Sequence, residues 1–160
     1  MAAQTAPTPT VRTKEFEFPV SVEWIEGKLV AAMVEGKQLI GIAAPPVFRG
    51  THPAVWSPED FLVASAASCL AVTFAGLAAR EGLTVTHLAV DGNGVCGQRD
   101  DGRFGFTRMQ LIARIETDPA DHDKARVLAE KAEATCLIAA SLDLPVETVI
   151  KTEAPGAAER

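Results

Sequence analysis

No two of the three cysteines, Cys69, Cys96 and Cys136, stand at C-x-x-C spacing, and the three histidines, His52, His87 and His122, are scattered along the chain. A zinc site built from ligand pairs is therefore not expected, and no other cofactor is called for. An odd number of cysteines without an export signal argues against a disulfide framework and for a reducing, cytoplasmic compartment. The first dozen residues, "MAAQTAPTPTVR", lack the basic start and apolar stretch of a secretory leader and read as a loose tail. Basic clusters are missing as well. The chain has 15 Lys and Arg against 21 Asp and Glu, a net charge of −6. Nucleic-acid binders concentrate positive charge on one face, so that class is excluded.

Charge is absent altogether from Phe61 to Ala79, a run of 19 residues with Cys69 near its middle. About 20 apolar residues can cross a bilayer. Seven of these 19 are Ala, however, and Ser65, Ser68, Thr73 and Gly76 dilute the hydrophobicity further. Small residues favour close backbone approach more than partition into lipid. The run is read as a helix buried on every side of a soluble protein, with no membrane partner.

At 160 residues the chain is long enough for one well-packed domain. We place that domain at 13–154, between tails at 1–12 and 155–160. "KEFEFPVSVEW", residues 14–24, reads as a strand, followed by "KLVAAMV" and "KQLIGIA" around the turn signal Glu35-Gly36, making an antiparallel meander. Three prolines and a glycine in residues 44–56 mark a connection. Ser57 then serves as N-cap, Pro58 as first helical residue and Asp60 as the reciprocal cap, with Gly82 as the stop. "TVTHLAVDGNGVCGQ" and "FGFTRMQLIARIET" form a hairpin in which Thr107, Met109, Leu111, Ala113 and Ile115 share the inner face. A second helix starts near Asp118-Pro119 and buries Ala125, Leu128, Ala129 and Ala132. "CLIAASLDLP" offers a short helical segment, and "VETVIKTEA" is a last strand. The order of elements is that of an α+β fold. Covering one helix on all sides is awkward in a single layer pair, so either the sheet wraps it or a second subunit does.

Cys69 has two readings. Free cysteine packs readily as a small hydrophobe, and burial alone raises a thiol's pKa, so a reactive Cys69 needs a cation or a helix N-terminus nearby. Arg49 and Glu59 precede it, but Glu59 lies about 15 Å away along a continuous helix. The residues F-R-G at 48–50, S-P-E-D at 57–60, the small-residue run into Cys69, and Cys136 a further 67 positions on resemble the OsmC/Ohr proteins, the osmotically inducible and organic-hydroperoxide-resistance group. The resemblance extends from the Trp24 strand to the final strand. It implies an α+β fold with a long buried central helix and antiparallel sheets, in an intertwined homodimer whose active sites lie at the subunit interface.

It also implies a thiol peroxidase that reduces organic hydroperoxides. Cys69 would attack the peroxide, Cys136 would resolve the sulfenic acid, and Arg49 and Glu59 would assist, with Arg12 as a reserve cation. An external dithiol would complete the cycle, and the resemblance suggests a lipoyl-bearing protein for that role. The chain departs from the family pattern at Leu137, where proline is usual. Two further readings stand beside this one. The same fold could bind an apolar ligand with inert cysteines, or a cysteine hydrolase could operate, though no histidine is suitably spaced for it.

Overall fold

The computed structural model describes residues 14–157. The chain divides into two compact units, the first ending at Val55 and the second beginning at Trp56.

The first unit is an antiparallel meander of β1 (Ser21–Glu26), β2 (Leu29–Met33) and β3 (Ile40–Ala43). The turns fall where Gly27 and Gly36 take positive φ values of 49° and 73°. β1 is shorter than the sequence suggests, because residues 14–20 stay outside the ladder. Pro19 offers no N–H to a neighbouring strand and restricts Phe18 before it.

The second unit holds the main core. Helix α1 (Pro58–Arg80) opens with the expected reciprocal cap. The Asp60 N–H donates to Ser57 Oγ at 3.1 Å, and the Ser57 N–H donates to the Asp60 carboxylate at 2.8 Å. Its other end is a Schellman turn. The Leu83 N–H reaches the Ala78 carbonyl and the Gly82 N–H reaches that of Ala79, with Gly82 at φ 65° and Leu83 buried.

Strands β4 (His87–Gln98) and β5 (Phe104–Glu116) pair antiparallel, with a bulge at Val95 and Cys96. β6 (Val146–Glu153) joins β5 in parallel. A parallel partner requires a long crossover, and here it comprises a 3-10 turn at Pro119–Asp121, α2 (His122–Ala134) and α3 (Leu137–Ala140). The inner faces of β5 and α2 follow the predicted periodicity: Met109, Leu111, Ala113 and Ile115 on the strand, and Ala125, Leu128, Ala129 and Ala132 on the helix, are buried, while Thr107, nearer the start of β5, is partly exposed.

Helix α1 is covered by its own unit on one side. Its buried residues are Ala66, Leu70, Phe74 and Ala78, a single stripe at four-residue steps. On the opposite side Val72 is 72 % exposed, and Ser68, Ala75, Gly76 and Ala79 are exposed too. A sheet and a second helix cover only one side of a helix; within this chain α1 is therefore half-buried rather than enclosed. Its contact with β4 is close. A Cβ on Gly94 would stand 2.4 Å from the Phe106 ring and 2.8 Å from Val63, and one on Gly92 would stand 2.6 Å from Val63.

Candidate functional site

Cys69 sits midway along α1, and Cys136 is the residue that precedes α3. The crossover returns the chain to α1, with α3 packed beside it, so two residues 67 positions apart come close enough for each thiol to influence the ionisation of the other. Both are free thiols, Cys69 half-buried and Cys136 buried.

The two sulfurs have opposite electrostatics. Burial pushes the Cys69 thiol up, but four donors act against it: the Ile138 N–H, the Cys136 side chain, the Leu137 N–H and the Thr73 hydroxyl. Together they hold Cys69 below the ordinary thiol range. Cys136 is pushed above that range, first by burial and then by its negative neighbour Cys69, with the Ala139 and Ile138 N–H groups offsetting part of the rise. The two shifts run in opposite directions, so of the pair Cys69 is the thiol that ionises more readily.

These donors were not read from the sequence. A cation was sought, since Cys69 lies too deep in α1 to feel the start of its own helix. What reaches it instead is backbone N–H from a different element. The signals were present in the Cys69-x-x-x-Thr73 spacing, which puts both side chains on one helix face, and in a second cysteine directly before a helical segment, whose first N–H groups lack intrahelical partners.

Leu137 bears on this directly. It is the first residue of α3, a position where proline is well tolerated because its N–H would have no intrahelical acceptor. Cys136 before it is extended, at φ −67° and ψ 108°, as a residue preceding proline prefers. Leu137→Pro should thus fold while deleting one donor to Cys69. Site-resolved alkylation against pH is expected to show the Cys69 midpoint move upward and its neutral-pH rate fall about three- to tenfold. Leu137→Ala, which keeps the N–H and trims an exposed side chain, is expected to leave both unchanged.

Glu59 lies in the first turn of α1 and faces Cys96, whose thiol is raised by burial and then by the Glu59 charge. The Glu59 Oε2 atom is buried and has no hydrogen-bond partner among the described residues. Within one chain the unbroken α1 keeps Glu59 about three turns from Cys69.

Arg49 belongs to the first unit, where it ends a 3-10 turn at Pro46–Phe48. At φ 60° it is the only non-glycine residue with positive φ among the described residues. Glycine usually takes such a left-handed cap. Here the next residue, Gly50, must itself be glycine, since a Cβ there would lie 1.6 Å from the Ala44 carbonyl oxygen. Arg12 lies outside the described residues. No group of three or more His, Cys, Asp or Glu side chains that could hold a metal ion occurs among the described residues.

A family model described as OsmC-like protein matches residues 51–151 of the chain. The uncharacterized protein YmaD of Bacillus subtilis is 23 % identical over 138 residues, covering 83 % of this chain and 91 % of that protein. Among solved structures, an OsmC-like protein of unknown function from Vibrio cholerae superposes with a TM-score of 0.78 at 20 % identity, over 85 % of this chain and 99 % of that one. An organic hydroperoxide resistance protein from Elizabethkingia anophelis gives 0.71 at 17 % identity, over 88 % and 100 %.

Proposed function

As the chain belongs to the OsmC-like protein family, we propose that it is a thiol-dependent peroxidase that reduces organic hydroperoxides to alcohols. The observation that carries this reading is the approach of two free thiols from α1 and from the start of α3, one held low and the other held high. Anionic Cys69 attacks the distal peroxide oxygen. The S–O bond forms as the O–O bond breaks, and the alkoxide takes a proton and leaves as alcohol. Cys136 then attacks the sulfenic sulfur, water departs, and the Cys69–Cys136 disulfide remains. An external dithiol reduces it in two exchange steps and leaves oxidised, restoring both thiols. A lipoyl-bearing protein is the proposed reductant.

Arg49 is assigned to stabilise negative charge on the peroxide oxygens, because a guanidinium stays protonated and donates in a fork. Two observations favour a special role for it and for Glu59. Arg49 holds a backbone conformation that costs a non-glycine residue roughly 1–2 kcal/mol, and the buried Glu59 oxygen lacks a donor. The proposed assembly is a homodimer, in which a second copy covers the open face of α1.

The test is consumption of cumene hydroperoxide and of hydrogen peroxide by the purified protein with a dithiol. Faster consumption of the organic peroxide supports the reading. Rates no higher than in protein-free controls would overturn it and favour an apolar-ligand-binding protein with inert cysteines.

A further inference from the structure

The loop that carries Arg49 is closed on itself by backbone bonds. The Gly50 N–H donates to the Pro45 carbonyl at 3.1 Å and the Arg49 N–H to the Pro46 carbonyl at 2.9 Å, the paired pattern of a Schellman turn. Arg49 occupies the left-handed position of that turn, at φ 60° and ψ 37°, where glycine is the usual residue. The Phe48 carbonyl accepts from outside the turn: Lys28 Nζ donates to it at 2.6 Å, from 20 residues back in sequence.

The backbone of Lys28 prepares this contact. Lys28 follows Gly27 between β1 and β2, and its own carbonyl accepts from the Ala44 N–H at 3.2 Å. The residue that sends out the ammonium is therefore tied to the start of the same loop. An ammonium bonded to a carbonyl is charge-assisted, which makes it one of the shorter and stronger hydrogen bonds. Lysine is also favoured beside the last carbonyls of a helical turn.

The contact acts on one torsion. The Phe48 carbonyl oxygen lies in the peptide plane that joins Phe48 to Arg49, and rotation of that plane changes the φ angle of Arg49. A left-handed φ is unfavourable for a residue with a Cβ, so it persists only where the surroundings enforce it. Lys28 holds the oxygen on the side that a left-handed Arg49 requires.

We propose that Lys28 is a positioning residue for Arg49: its ammonium fixes the Phe48–Arg49 peptide plane, and with it the direction of the Arg49 Cα–Cβ bond. The assignment deepens the peroxidase reading and rests on it for its purpose, yet its first test needs no peroxide. Full-length wild type, Lys28→Met and Lys28→Arg are isotope-labelled, and the backbone conformation of Arg49 is read by NMR from its carbon shifts and amide coupling. Wild type and Lys28→Arg, which keeps a cationic donor, are expected to show the left-handed signature. Lys28→Met keeps the stem without the donor, and its Arg49 signals are expected to move toward right-handed values.

In single-turnover mixing, oxidation of Cys69 by cumene hydroperoxide is expected to slow about five- to tenfold in Lys28→Met and to recover in Lys28→Arg. Wild-type Arg49 signals in Lys28→Met overturn the assignment, as do equal shifts in both variants. An unchanged oxidation rate in an active protein whose Arg49 signals have moved overturns it too. Should Lys28→Met fail to fold, Lys28→Leu gives the same comparison. If the signals move as expected but the wild type consumes no hydroperoxide, the peroxidase reading falls and the Lys28 contact stands.

Discussion

Replacing Cys69 by serine is expected to lower dithiol-driven cumene hydroperoxide consumption by roughly three orders of magnitude or more, to the rate without protein. A serine hydroxyl ionises far less readily than a thiol, and its oxygen is a poor nucleophile toward peroxide. Cys136→Ser should differ in kind. It removes a donor to Cys69 but not the nucleophile, so one equivalent of hydroperoxide per chain should still be consumed and Cys69 sulfenic acid should accumulate, trapped by a sulfenic-acid reagent such as dimedone. Steady turnover should then depend on the dithiol attacking the sulfenic acid directly. Full activity in Cys69→Ser would end the mechanism. Equal and complete loss in both variants would remove the division of labour between the sulfurs that their opposite pKa shifts support.

Phe74→Ala should unfold the second unit at markedly lower denaturant, at a cost of about 3–5 kcal/mol. Phe74 is 2 % exposed and belongs to the cluster that joins α1 to β5 and α2. Much of that cluster is alanine: Ala66, Ala78, Ala113, Ala125, Ala129 and Ala132. Such short side chains have no rotamer with which to fill the space a phenyl ring leaves, so the cavity should stay open and the cost fall toward the upper end. Urea denaturation followed by circular dichroism measures it. A loss below about 1 kcal/mol would mean that the core closes around the gap and that the packing is looser than the burial indicates.

The OsmC-like family seen in the sequence motifs is the family that the comparison with family models shows. The α+β class follows from the order of the elements, and the structure agrees with it. Local chemistry accounts for this legibility. The Ser57–Asp60 cap, the Gly82 stop and the alternation along β5 are each decided by residues close together in sequence, and each is found where it was read. The parallel direction of β6 was not legible. It depends on where the crossover lands, which no residue in "VETVIKTEA" encodes. The exposure of Val72 was likewise hidden, because an apolar residue has the same sequence signature whether its own chain covers it or not.

The site divides along the same line. By itself the sequence determined which candidate side chains share a helix face, because spacing along a helix is a matter of fixed rise and turn: Glu59 and Cys69 are held about three turns apart. Only the tertiary structure decided what makes Cys69 acidic, since the thiol of Cys136 and the N–H groups of Leu137 and Ile138 arrive from about 67 residues away. Their effect arises from proximity created by the fold.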